Sequence, residues 1–287
     1  MGKRTNVLAP ERDRHSAPPT TRERVSLGSV ANQRTIDLNA DAGESFGPWR
    51  MGADEDLLPV LSSVNIACGF HAGDPVTMRR TVQLAHEHGV AIGAHPGYPD
   101  TVGFGRRDLA MCPDEVHAAV LYQLGALSAF LRPEGAQLHH VKPHGALHHR
   151  IALDADAADA VARAVHDADP DVPLVVLAGP AGRLMRAAAA RFGVRTVGEG
   201  FPDRAYLADG ELAPRSSAGA VLDDPERIAE RALWMVLGGE VQAVDGSTVP
   251  LQVETVCVHG DGPVAARAAR AIRAALQAVG IEVAAYA

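Results

Sequence analysis

The stretch Asn65-Ile66-Ala67-Cys68-Gly69-Phe70-His71-Ala72-Gly73-Asp74-Pro75 sets an apolar strand end, a turn, an imidazole and a helix start within eleven residues. Asp74 can accept hydrogen bonds from the first free N–H groups of a helix, and Pro75 at the first helical position needs no N–H partner. His71 therefore falls on a loop leaving the carboxyl end of a strand, where barrel and open α/β enzymes carry out their chemistry. The same placement recurs along the chain. Asp37, Asn39, Asp41 and Glu44 mark a first strand end, Asn65 and His71 a second, His95 a third, and Lys142 with His144 a fourth; Glu199, Asp203 and Arg204, then His259 and Asp261, follow later strands. Imidazoles and carboxylates can exchange protons. A buried lysine, whose pKa falls with desolvation, can act as a base or an oxyanion partner.

Structural readings compete with these. Asp37 and Asn39, alternating along one strand, can point into a barrel and satisfy one another, while Asp41 and Glu44 can cap a loop. Asp74 and Asp261 are helix N-caps first and ligands second. His139, His140, His148 and His149 read as solvated surface residues, whereas His144 stands in a tight turn between Pro143 and Gly145. Lys142 is the only lysine besides Lys3, and its structural alternative is an ion pair inside the barrel with Asp37 or Asp41. Asp37, Asp41, His71 and His144 are candidate ligands for a divalent ion, because such side chains supply the mixed oxygen and nitrogen donors that Zn²⁺, Mn²⁺ or Ni²⁺ accepts. There is no HExxH motif, no GxxxxGK[ST] phosphate loop and no GxGxxG opening a helix.

These residues need elements to position them. Short apolar runs over 35–40, 60–67, 90–94, 137–141, 172–178, 194–198 and 253–258 read as strands. Helical periodicity covers 75–88, 113–131, 154–168, 180–192, 224–238 and 263–279, with Pro or acid in many first turns (Cys112-Pro113-Asp114-Glu115, Gly179-Pro180, Asp224-Pro225-Glu226, Gly262-Pro263). The alternation implies parallel strands joined by right-handed crossovers, and seven such units predict a closed or nearly closed barrel, with an open doubly wound sheet as the alternative. Two excursions break the rhythm. Residues 97–111 form a long Gly-rich loop, either a cover over the site or a surface insertion, and Asp209-Gly210 marks a hairpin. Residues 1–33 lack periodicity and read as a disordered extension, either a weak transit-peptide match or the product of a mis-assigned start; 34–287 read as one barrel domain.

Composition narrows the function classes. The chain is 287 residues long with net charge −8. Residues 1–34 carry seven Lys/Arg and three Asp/Glu, which leaves 20 basic and 32 acidic residues, net −12, for the rest. So acidic a body is a poor nucleic-acid binder. No apolar run is long enough to span a membrane. Three widely spaced cysteines, Cys68, Cys112 and Cys257, suggest a reduced, cytosolic protein.

Seven motifs together resemble the LamB/YcsF family: Asp37 to Gly47 (DLNADAGESFG), Asn65 to Pro75 (NIACGFHAGDP), Gly93 to Asp100 (GAHPGYPD), Gly103 to Arg107 (GFGRR), Val141 to Leu147 (VKPHGAL), Gly200 to Tyr206 (GFPDRAY) and Val258 to Asp261 (VHGD). The resemblance covers about residues 35 to 280. It departs from the family's pattern at Ala40 and Ala42, where Cys and Leu are expected, and at His148, where Tyr is usual. It implies a TIM-like seven-stranded β/α barrel related to sugar deacetylases. It also implies ATP as co-substrate, the opening of 5-oxo-L-proline to L-glutamate, and work in a complex with B and C subunits. For that reaction, residue chemistry assigns the catalytic set Asp41, His71, Lys142 and His144: His71 or His144 with Asp41 as base, and Lys142 at the oxyanion or phosphate. Arg106 or Arg204 grips the substrate carboxylate, and Asn39, Asn65, His95 and Glu199 complete the binding set. The alternatives are a metal-dependent deacetylase and a non-catalytic, substrate-binding role. Self-association, a bound metal and the place where ATP is held stay open.

Overall fold

The computed structural model describes residues 35–259 and 264–287. The expected extension at 1–33 lies outside the described residues, as do Asp261 and the Gly262-Pro263 helix start. Strands β1 (Thr35–Ala42), β2 (Ser63–Ala67), β3 (Ala91–His95), β4 (His140–Val141), β5 (Leu174–Leu177) and β6 (Thr196–Gly200) pair in sequence order. The antiparallel hairpin β7 (Glu240–Gln242) and β8 (Thr248–Pro250) stands apart from them, and β9 (Thr255–Val258) pairs with both β6 and β1. The seven strands β1 to β6 and β9 thus form a closed, all-parallel barrel, and the open sheet is excluded. A short β10 (Glu282–Val283) adds to the outer start of β1.

Helices α1 (Asp54–Leu57), α2 (Pro75–Glu87), α3 (Pro113–Leu131), α4 (Gly145–Leu153), α5 (Ala155–Ala168), α6 (Arg183–Arg191), α7 (Pro225–Leu233) and α8 (Ala265–Ala278) surround it. Asp74, Asp154 and Asp224 cap α2, α5 and α7, each carboxylate accepting from two N–H groups of its helix's first turn. Alanines at 157, 158, 160, 162 and 164 let α5 pack closely against α3 and α6.

Strand periodicity explains the interior. Side chains alternate across a strand, so Leu38, Ala40, Val64, Ile66, Ile92 and Ala94 meet the helices while their neighbours in sequence fill the barrel. Those neighbours are polar and buried, in rising layers. Asp37 accepts from Ser62, Ser63 and Thr255 at 2.7, 2.8 and 2.5 Å. Above it, Asn39 donates to Glu199 at 2.9 Å and accepts from Asn65 at 2.7 Å. Asp41, Lys142 and Cys257 close the top. Hydrogen bonds link each layer to the next, and the ladder leads to the carboxyl rim.

Two local expectations shift. Asp209-Gly210 makes a tight turn with only an isolated bridge between Tyr206 and Leu212, whereas the true hairpin turns at Asp245-Gly246. The residues after His144 form α4, in which Leu147, His148 and Ile151 are buried. Two adjacent histidines, His148 and His149, hid that periodicity.

Candidate active site

Three strand ends converge at the rim with four polar side chains. Asp41 ends β1, His95 ends β3, Lys142 follows β4, and His144 precedes α4 as its N-cap residue. The Lys142 ammonium donates to Asp41 Oδ1 at 2.9 Å and to Cys257 Sγ at 3.0 Å, and lies 3.1 Å from Glu199 Oε1. Burial disfavours its charge, but Asp41, Cys257 and Glu199 outweigh burial and hold its pKa well above the ordinary lysine value. Burial likewise pushes Asp41 up, and His95 and Lys142 outweigh that, so the carboxyl stays ionised well below its usual range. Glu199 is raised by burial. The barrel ion pair expected for Lys142 forms with Asp41 and Glu199; Asp37 sits two layers lower.

Three imidazoles stack beside this pair. The His71 and His144 rings are parallel with centroids 3.8 Å apart, and His95 meets both edge-on. His144 Nδ1 lies 2.9 Å from His95 Nε2, which lies 3.4 Å from Asp41 Oδ2. Burial holds the pKa of His71 and of His144 well below the imidazole norm. Loop 97–111 covers the stack. Phe104 presents its ring to His71 and His144, and its carbonyl accepts from His144 Nε2 at 2.8 Å. The loop is pinned by the Asp100–Arg107 ion pair and by Ala146 N–H donating to the Gly105 carbonyl at 2.9 Å. Gly105 (φ +62°) is required there, since a Cβ would stand 2.6 Å from His71 Cβ and 2.9 Å from His144 Cδ2.

A cavity of about 250 Å³ opens over these groups, lined by Asp41, His95, Lys142, His144 and His148, with Arg106, Arg204, Arg215 and His259 around its wall. Its size suits a small metabolite, and its cations suit an anion. A larger hollow of about 830 Å³ lies at the opposite end, by Ser62, Arg195 and Arg273, away from the rim where barrel chemistry sits.

Of the residues singled out from sequence, Asp41, His95, Arg106, Lys142, His144 and Arg204 line the cavity. His71 is fully buried behind His144. Asn39, Asn65 and Glu199 do not reach the cavity as binding residues would; they are at most 2% exposed, with their hydrogen bonds spent inside the barrel. Arg204 gives two of its guanidinium nitrogens to the carbonyls of Ala220 and Ala213. Of the expected metal ligands, Asp37 and Asp41 fall outside the group of side chains that could hold an ion; among the described residues that group is Glu44, His71, His95 and His144, each offering an atom within 4.8 Å of the others. His140 and His148, expected at the surface, are buried. His140 donates to Asn65 Oδ1 at 2.6 Å, while His148 faces the cavity, its pKa pushed down to about 3 chiefly by burial. Glu44, expected as a loop cap, faces His71 instead, and nothing in local spacing ties the two together across 27 residues. Asp203, 2.8 Å from His259 Nδ1, joins the last two strand ends.

The fold and site together define a β/α-barrel protein with a buried histidine, carboxylate and lysine centre under a cation-lined mouth. The model of the LamB/YcsF family matches residues 36–287, and the chain belongs to that family. It is 54% identical over 251 residues to the A subunit of 5-oxoprolinase from Thermus thermophilus, covering 88% of this chain and 99% of the relative. It is 56% identical over 250 residues to the A subunit of 5-oxoprolinase from Symbiobacterium thermophilum, covering 87% and 95%. The crystal structure of a lactam utilization protein from Thermus thermophilus superposes with a TM-score of 0.83 at 54% identity, covering 88% of this chain and all of that one. No helix among the described residues is long and apolar enough to cross a membrane.

Proposed function

We propose that this chain is the A subunit of a cytosolic, ATP-hydrolysing 5-oxoprolinase, which opens 5-oxo-L-proline to L-glutamate together with B and C subunits. The observation that carries the reading is the cavity itself: a small, cation-walled pocket whose floor is Asp41, His95 and His144, in a chain more than half identical to proteins named for this activity. A five-membered lactam is a stabilised amide that water opens poorly. Transfer of a phosphoryl group from ATP to the lactam oxygen makes the ring carbon electrophilic; water adds there, the C–N bond breaks with its electron pair on nitrogen, and the nitrogen takes a proton. A second water then releases phosphate and leaves the carboxylate.

In this scheme Asp41, His95 and His144 activate the attacking water, and His71 backs His144 through its stacked ring. Lys142, its three donors directed at Asp41, Glu199 and Cys257, keeps Asp41 ionised at the oxyanion's side of the floor. Arg106 at the mouth takes the substrate carboxylate, with Arg204 on the wall. Neither a phosphate loop nor a helix-opening glycine cradle is present in the sequence, so the nucleotide is assigned to the partner subunits. The test is reconstitution from purified subunits, measuring ADP and glutamate together. Glutamate should form only when this chain, the partners, ATP and 5-oxo-L-proline are all present. Lactam opening by this chain alone without ATP would favour the metal-dependent amidase instead.

A further inference from the structure

Hydrogen-bond accounting at the three buried imidazoles shows lone pairs meeting with nothing between them. His95 Nδ1 is 2.7 Å from the Lys142 carbonyl, and His144 Nε2 is 2.8 Å from the Phe104 carbonyl. A carbonyl only accepts, so each ring spends its one proton there and turns a bare nitrogen inward. Those bare nitrogens, His95 Nε2 and His144 Nδ1, face each other at 2.9 Å, and Asp41 Oδ2 stands 3.4 Å from the first. Three acceptors around one point require a cation.

His71 says which cation. Its ring is wholly buried, and neither of its nitrogens has a hydrogen-bond partner; Nε2 points toward Glu44 Oε1 at 3.6 Å. A proton on the His95–His144 pair would satisfy that pair and leave His71 as it is. A metal ion draws on all three rings and the carboxylate together. The separations of 2.9 and 3.6 Å bracket the roughly 3.3 Å between ligand atoms that tetrahedral bonds of about 2.0 Å give, and all four donors lie within 4.8 Å of one another. The carbonyls of Lys142 and Phe104 are the outer partners that fix the tautomer of a metal-bound histidine. The contact between His139 and His140, also 2.9 Å, has no such company: His139 is only half-buried, and among the described residues neither ring belongs to a cluster of three or more ligand side chains.

We propose that Glu44, His71, His95 and His144 bind one divalent transition-metal ion, of the Zn²⁺, Co²⁺ or Ni²⁺ type that imidazole favours. Such an ion supplies Lewis-acid polarisation or an activated water beside Asp41. The inference deepens the hydrolase reading by naming how water is activated, but it stands on the protein alone. The test is titration of the full-length, chelator-stripped chain with Co²⁺, with no nucleotide or lactam present, followed by visible absorption and calorimetry. One Co²⁺ per chain should bind, with d–d bands that Zn²⁺ abolishes. Glu44→Gln and His71→Ala should each weaken binding tenfold or more, and His148→Gln, on the cavity wall outside the cluster, should bind as wild type. Absence of saturable binding, or Glu44→Gln binding unchanged, overturns the proposal; if His71→Ala fails to fold, Glu44→Gln decides. Failure here removes the ion and leaves the reconstituted turnover assay to judge the hydrolase reading.

Discussion

Replacing Lys142 with Met tests the barrel's polar ladder at its most loaded point. The ammonium has three acceptors, at 2.9 Å (Asp41), 3.0 Å (Cys257) and 3.1 Å (Glu199), and the site is 3% exposed. Methionine fills most of the volume but leaves Asp41 and Glu199 buried without their cation. Removing one partner of a buried ion pair costs about 3–5 kcal/mol. The Asn65 N–H on Asp41 and the Asn39 N–H on Glu199 remain, and Glu199, already raised by burial, can take up a proton, so the lower half of that range is expected. At roughly 2–4 °C per kcal/mol for a chain of this size, the melting temperature should fall by about 6–16 °C. Urea unfolding followed by circular dichroism measures the loss. Adding Glu199→Gln to Lys142→Met should recover part of it, because the second buried carboxylate is then gone. A single variant within about 1 kcal/mol of wild type, or a double variant worse than the sum of its parts, would refute the arrangement.

His148 gives a pH signature. Its pKa is pushed down to about 3 by burial against about 6.5 in the unfolded chain. The folded state therefore holds fewer protons, and stability present above about pH 6.5 declines as pH falls toward 3, by about 1.4 kcal/mol per pH unit for this group. Denaturation series between pH 7 and 5 should show His148→Gln with a shallower decline than wild type; equal slopes would contradict the burial. Arg106→Ala should raise KM for 5-oxo-L-proline roughly tenfold or more with a smaller effect on kcat, the loss of one charged hydrogen bond of about 1.5–3 kcal/mol; an unchanged KM would take Arg106 off the substrate. Gly105→Ala, at φ +62° with no room for a Cβ against His71 and His144, should destabilise by about 1–3 kcal/mol and disturb the covering loop, measurable as faster proteolysis within 97–111; a stable, intact loop would contradict the packing.

Much of this arrangement is legible from residue order. All seven barrel strands follow from short apolar runs bounded by turn residues, and the N-caps Asp74 and Asp224 are visible as Asp-Pro pairs. The strand-end rule brings Asp41, His95, Lys142 and His144 to one rim. What stays hidden is depth. Period-two alternation puts Asp37, Asn39 and Asp41 on one face of β1 but cannot say that only the last reaches the cavity, because that depends on register with β2 and β9. Histidine is the other blind spot: a neutral imidazole packs much as an apolar side chain does, so His140 and His148 read as surface and are core. Glu44 is lost because the loop that swings it to His71 is set by Gly43 at φ +69° and by Gly43 N–H bonding to Asp54, a contact eleven residues away.

The central claim, that the imidazoles at this rim carry out the hydrolysis, is tested most directly by His144→Gln in the reconstituted three-subunit enzyme. Glutamate formation per ATP-replete turnover should drop about a hundredfold or more, while size-exclusion chromatography shows the variant assembling with its partners as wild type does. Wild-type turnover by an assembled His144→Gln enzyme would contradict it.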